Sequence, residues 1–462
     1  MFPATTYTSR REKLRKLMKS GIILIPGNDE SPMNYPANGY RFRQDSNFLY
    51  FFGLNHPGFA GIIDCDANKD IIFGNDVDIE DIIWMGVQPS VKEMASHAGI
   101  TETAPFAELD SYLAEAIIKG KKIHFLPPYR AENKFLLKSL LDIKISNLKE
   151  ESSTDLVKAV VALRSIKDKY EIEEIERACM TGYTMHTTAM KATKPGIYER
   201  EVAGAVEGVA LCGGGTVSFP VICSVRGETL HNHYHGNIMK DGDLLMMDAG
   251  AETENGYASD YTRTLPVSGT FTQKQKEIYE IVLKANTEAI KAIKPGIPYQ
   301  QIHLLAARII AEGLGALGLM KGDAAEAVKQ GAHAMFFPHG LGHMMGLDVH
   351  DMEDLGENNV GYDDEIKRID QFGTAYLRLG RRLQEGFVLT VEPGIYFIPA
   401  LVEQWKAEKK FMNFINYDKV SEYLGFGGVR IEDDILVTAD GCRVLGKPVP
   451  KTVAEVEAMM KS

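Results

Sequence analysis

One short pattern occurs twice in this chain, and that repetition restricts the fold more than any single motif does. Gly242-Asp-Leu-Leu-Met-Met-Asp248-Ala-Gly250 and Gly386-Phe-Val-Leu-Thr-Val-Glu392-Pro-Gly394 each run from a glycine through five mainly apolar residues to an acid, one residue and a glycine. An apolar run of that length reads as a buried strand, and each copy delivers one carboxylate at its end. Upstream, Met190-Lys-Ala-Thr-Lys-Pro-Gly-Ile197 and Ile290-Lys-Ala-Ile-Lys-Pro-Gly-Ile297 also match, each closing one helical pattern and preceding another. A duplicated helix-plus-hairpin unit accounts for both matches. Two such halves, facing each other across an approximate twofold axis, bring two acids apiece to a central site: Asp248 and Asp260 from one, Glu392 and Glu432 from the other.

Between Asp248 and Asp260 the polar segment Glu254-Asn255-Gly256 is a turn signal separating two strand-like runs. A reversal centred near Glu254 puts the two aspartates opposite one another, with Cβ atoms roughly 4.5–5.5 Å apart. That spacing suits metal ions roughly 3.5–4 Å apart. Solvated hairpin aspartates are the alternative, and the apolar run from Asp243 to Met247 argues against it, because an acid buried there is costly unless paired or metal-bound. His343, in His339-Gly-Leu-Gly-His343, completes a set of four carboxylates and one imidazole. Such a set suits two hard divalent ions, Mn²⁺ above all, better than a thiolate-built structural zinc site, and points to a two-metal hydrolase.

At 462 residues the chain exceeds a comfortable single core, so two domains are expected. The first, 1–155, alternates strand-like runs at 21–26, 48–54, 61–64, 70–73 and 123–126 with helical ones at 10–19 and 90–97. The polar stretch 149–154 reads as a linker to a second domain, 156–462, with helical periodicity over 167–193, 273–293 and 299–317 and hairpin patterns after each block. The class is α/β (α+β). A net charge of −12, with no basic run interleaved with aromatics, disfavours nucleic acid as a partner. The apolar run 21–26 is too short to span a membrane. Five cysteines, odd in number and without a CxxC pair, fit a reducing, cytoplasmic setting.

The C-terminal part resembles the pita-bread metallopeptidases, a group that includes methionine aminopeptidase, aminopeptidase P, prolidase and the metal-free creatinase. Arg41-Phe-Arg-Gln-Asp-Ser-Asn47 with Tyr50-Phe-Phe-Gly53 is similar to the N-terminal domain of aminopeptidase P and prolidase, so the resemblance spans nearly the whole chain. Eukaryotic-type prolidases are the finer match, through Gly425-Phe-Gly-Gly-Val-Arg-Ile-Glu-Asp433, Thr390-Val-Glu-Pro-Gly-Ile-Tyr-Phe397, the insert between Glu392 and Glu432, and the tail Pro450-Lys-Thr-Val-Ala-Glu-Val-Glu457. One segment departs from them. Leu230-His-Asn-His-Tyr-His-Gly236 is shorter before Asp248 than in those prolidases and more like aminopeptidase P.

The resemblance implies an N-terminal mixed-sheet domain followed by a pita-bread catalytic domain with a pseudo-twofold repeat. It implies metal ligation by Asp248, Asp260, His343, Glu392 and Glu432, and hydrolysis of Xaa-Pro bonds by a hydroxide bridging the two metals. Glu392 doubles as the proton shuttle, while His339, His350 and His231 contact substrate or intermediate, with His233 as the fallback for His231. Arg378 matches the prolidase arginine that receives the free carboxylate of a dipeptide. Arg430 lies two residues before Glu432, hence on the same strand face, where it can orient a metal-ligating carboxylate. The expected partners are proline-containing di- or oligopeptides and a second copy of the chain in a homodimer. A dipeptidase is the first reading and an aminopeptidase releasing the N-terminal residue of longer peptides the alternative. A non-catalytic binding protein on the same fold would have lost metal ligands, and all five are present.

Overall fold

The computed structural model describes residues 1–462 as two units, Met1–Ser165 with Met352–Asn359, and Ile166–Asp351 with Val360–Ser462. In the first unit, branched aliphatic residues build a mixed five-stranded sheet in the order Glu102–Ala104, Lys69–Phe73, Ala60–Asp64, Ile22–Pro26, Ile123–His124. Its three central strands are antiparallel and its two edge strands parallel to their neighbours. Ile22, Leu24, Ile62, Leu113, Leu137 and Leu148 pack into its core. Arg11 is also fully buried, and its guanidinium donates to the Phe51 and Ala98 carbonyls and to Asp70. A buried charge is tolerable only when its donors are satisfied in this way.

The stretch 48–54, expected as a strand, belongs to the helix Ser46–Phe52. Asp45 caps it by accepting the Phe48 N–H, and Gly53, at φ 66, ends it in the left-handed conformation. All seven residues of this helix are buried, so no polar face was there to reveal a helical period. The stretch 149–154 is not an extended linker. It closes the helix Leu148–Glu151, whose Leu148 is pinned in the core, and opens the helix Thr154–Ser165, so the division falls after Ser165. The return of Met352–Asn359 to the first unit is announced by no shift in composition.

The second unit holds two helix pairs, Lys169–Ala192 with Glu199–Cys212 and Gln273–Ala292 with Tyr299–Ala316. The first helix of each pair starts with a reciprocal capping box, Asp168 with Glu171 and Thr272 with Gln275. After each pair's turn the same backbone hydrogen bonds recur. Gly196 and Gly296, at φ 90 and 86, donate to the carbonyls of Met239 and Leu383, and Glu199 and Tyr299 donate to those of Asn237 and Arg381. Each pair leads on to a three-stranded sheet. One is centred on Leu244–Ala249 between Tyr261–Pro266 and Ile222–Ser224, the other on Asp433–Val437 between Val388–Val391 and Cys442–Val444. No helix is long and apolar enough to cross a membrane.

Candidate active site

Asp248 stands near the end of Leu244–Ala249, paired across the hairpin with Thr262. The reversal is centred on Asn255, where Glu252 bridges Ala258 and Gly256 takes φ 85, one residue beyond the expected centre. Asp260 is therefore two positions out of register with Asp248: the aspartates share a face as diagonal neighbours and do not stand directly opposite. In the other half, Glu392 follows Val388–Val391 and Glu432 follows Gly428–Arg430. The glycine-rich loop lies against the first of these strands, with backbone bonds from Thr390 to His343 and from Glu392 to Leu341. A Cβ at Gly342 would sit 2.1 Å from the Thr390 carbonyl oxygen, so only glycine permits the approach that sets His343 beside Glu392.

Ligand atoms of Asp260, His343 and Glu432 lie within 4.8 Å of one another. His343 Nε2 is 3.4 Å from Asp260 Oδ2 and 3.9 Å from Glu392 Oε1. Its Nδ1 lies 3.0 Å from the Met344 carbonyl, which fixes the N–H there and turns the Nε2 lone pair toward the acids. These four residues and Asp248 line one cavity of about 770 Å³, together with His231, His233, His339, His350, Arg378 and Arg430. The cavity's apolar walls come from Phe219, Ile222, Leu230, Phe372 and Leu401.

Four carboxylates crowd one buried space. Burial and the charges of Glu432 and Asp248 push Asp260 well above the usual carboxylate range, and burial with Glu392 and Asp248 does the same to Glu432. Burial raises Glu392 to about 7 against the opposing pull of Arg430. Asp248 Oδ1 and Asp260 Oδ1 are buried without a hydrogen-bond partner. Unpaired carboxylate oxygens in a desolvated cluster call for cations. The neutral His343, whose pKa burial and then His350 lower, completes a donor set that divalent metal ions fit.

Arg430 lies against a candidate metal-ligating carboxylate, that of Asp248. Its Nη2 donates to Asp248 Oδ2 at 2.5 Å, its Nε to Thr262 Oγ1 at 3.0 Å and its Nη1 to the Tyr396 hydroxyl at 2.8 Å. It holds the carboxylate of the other half directly and reaches Glu432 only through Thr262, whose hydroxyl donates to Glu432 Oε2 at 2.7 Å. An arginine only donates, so the Tyr396 hydroxyl accepts from it and gives its own proton to His339 Nε2, 2.8 Å away. His339 Nδ1–H then points at the Gly340 carbonyl, and burial, followed by Arg430, holds the ring neutral with a pKa of about 3.

Thr262 and Tyr396 escaped the sequence reading, although each follows a candidate ligand, Asp260 and Glu392, at an even spacing that puts it on the same strand face. Of the clustered histidines, His231 and His233 face the cavity. Desolvation, then Arg430, lowers the pKa of His231. His235 instead contacts the Val221 carbonyl at 3.0 Å. The His350 ring packs edge-on against His343 at 4.2 Å.

Residues 173–439 match metallopeptidase family M24, and residues 7–124 match the aminopeptidase P N-terminal domain. Xaa-Pro dipeptidase of Homo sapiens is 33% identical over 460 residues, covering 97% of this chain and 91% of that protein. A probable Xaa-Pro aminopeptidase of Fusarium vanettenii is 33% identical over 471 residues, covering 100% and 97%. Among solved structures, zinc-substituted aminopeptidase P of E. coli in complex with product superposes with a TM-score of 0.81 at 30% identity, covering 100% of this chain and 98% of that one. Aminopeptidase PepP of Pseudomonas aeruginosa gives 0.81 at 29% identity with the same coverage. With the family match spanning most of the second unit, and relatives a third identical along nearly the whole chain, the protein belongs to metallopeptidase family M24.

Proposed function

We propose that the protein hydrolyses the Xaa-Pro bond of proline-containing peptides, with dipeptides preferred, using two Mn²⁺ ions held by Asp248, Asp260, His343, Glu392 and Glu432. The convergence of these five donors with Arg378 in one cavity carries the reading. When bound, the two ions supply the Lewis acidity that activates a water and polarises the scissile carbonyl. Glu392, in the cavity beside His343, accepts the water's proton and passes it to the proline nitrogen as the C–N bond breaks. An amide nitrogen leaves as an amine only once protonated, and here the proton comes from the attacking water through Glu392. His350 and His231, with His233 as the second candidate, line the cavity and would contact the substrate backbone.

Arg378 lines the same cavity, and its planar guanidinium suits a free carboxylate there. All five cysteines are free, which supports a reducing, cytoplasmic compartment. A second reading, an Xaa-Pro aminopeptidase acting on longer peptides, is favoured by the cavity volume of about 770 Å³, ample for more than a dipeptide. The test compares hydrolysis of Ala-Pro, Ala-Pro-Ala and Ala-Ala by the full chain with Mn²⁺. Ala-Pro should be cleaved fastest and Ala-Ala least. Equal or faster cleavage of the tripeptide would favour the second reading, and failure on both proline substrates would overturn the proposal.

A further inference from the structure

The carbonyls of Val391 and Ile431 each belong to the residue immediately before a candidate metal ligand, Glu392 or Glu432. Both accept from one side chain: Asn286 Nδ2 lies 3.0 Å from Val391 O and 3.4 Å from Ile431 O. Asn286 is fully buried in the helix Gln273–Ala292. Its amide can face only one way. Lys451 Nζ, which can only donate, meets Asn286 Oδ1 at 2.8 Å and so directs the NH₂ group at the two carbonyls. The same ammonium pairs with Asp433 Oδ2 at 2.6 Å, and Asp433 Oδ1 takes Arg263 Nη2 at 2.6 Å. Arg263 in turn donates to the Glu432 carbonyl and to the tail carbonyls of Val449 and Pro450.

We infer that Asn286, oriented by Lys451 of the C-terminal tail, is a positioning residue that fixes the separation of Glu392 and Glu432. The inference rests on the proposal that these two glutamates hold metal. An amide that ties two chain segments one residue before each carboxylate sets their spacing without touching metal or substrate. The repeated architecture carries an independent parallel. His186 stands four residues before Met190 as Asn286 stands four before Ile290, and its Nε2 contacts the carbonyl of Ala249, the residue after Asp248, at 3.0 Å. In both halves this helical position grips backbone next to a candidate ligand.

The test uses full-length protein stripped of metal and titrated with Co²⁺, following the visible absorption band, with thermal melting of the stripped form recorded in parallel. Asn286→Leu keeps the volume and loses the hydrogen bonds, Lys451→Met removes the orienting charge, and Lys451→Arg retains it. Outer partners of metal sites typically govern affinity by roughly 10- to 100-fold. Asn286→Leu and Lys451→Met should therefore bind Co²⁺ about tenfold or more weakly with an altered band, and Lys451→Arg should bind close to wild type. Should Asn286→Leu fail to fold, the Lys451 pair decides alone. A lowered melting temperature with unchanged Co²⁺ affinity and spectrum means a purely structural role and overturns the inference. Wild-type protein that takes up no Co²⁺ would overturn the metal-dependent reading as well, which separates the two failures.

Discussion

Arg430 and Asp248, 182 positions apart in the chain, meet through an Nη2–Oδ2 contact of 2.5 Å and join the two halves of the site. The same guanidinium reaches Thr262 and Tyr396, so one planar group fixes a carboxylate, a hydroxyl that holds Glu432, and a hydroxyl that holds His339. Lysine keeps the charge but lacks the fork. Arg430→Lys should fold, bind metal more weakly and lose roughly 10- to 100-fold in kcat/KM, mostly in kcat. Metal titration and steady-state kinetics check this, and unchanged values would contradict it.

Asp260→Asn keeps the shape of the side chain and removes a charge. Metal affinity should fall by at least about tenfold. The stripped variant should also melt higher than stripped wild type, because one of four mutually repelling buried carboxylates is gone. Metal analysis and paired melting curves read both effects, and wild-type metal content would remove Asp260 from the ligand set.

Arg378→Ala addresses substrate length. A dipeptide's carboxylate lies one residue beyond the scissile bond, and its charge-assisted hydrogen bond to a guanidinium is worth roughly 1.5–3 kcal/mol. KM for Ala-Pro should rise about 10- to 100-fold in the variant. Cleavage of Ala-Pro-Ala should hold steady or improve, and parallel loss on both substrates would count against a carboxylate clamp.

His303 and His333 are fully buried with ring centroids 6.4 Å apart. Burial lowers the first to about 3 and the second to about 4. Below 6.5 the unfolded chain binds protons that the folded chain refuses, so stability is complete near pH 7 and falls as the pH drops from 6.5 toward those values. At pH 5 each ring withdraws ~2 kcal/mol. Urea midpoints at pH 7 and pH 5 should therefore differ less in His303→Leu than in wild type. An identical pH dependence would show that this ring does not couple to folding.

The five candidate ligands that line one cavity could be picked out as candidates because each lies in a short segment with a strong local signature, an acid after an apolar strand or a histidine in a glycine-rich loop. The same-face rule also put Arg430 on the correct surface. What it could not show was the partner: Asp248 comes from the other half, and only tertiary packing brings it to the guanidinium. Asn286 was invisible for a related reason. A lone amide in an amphipathic helix carries no motif, and its role emerges only when Val391, Ile431 and Lys451 converge on it. The helix Ser46–Phe52 was misread because burial on every side erased its period, and the unit boundary was missed because Leu148 anchors a polar stretch in the core.

Metal dependence is the point on which the proposed chemistry stands. The direct measurement strips the full-length protein by chelation, verifies the metal content, and adds back Mn²⁺ in steps while following Ala-Pro hydrolysis and ions bound per chain. Hydrolysis should be absent in the stripped protein and return in step with occupancy, reaching its plateau at about two ions per chain. Full hydrolysis in a demonstrably metal-free sample would contradict the mechanism outright.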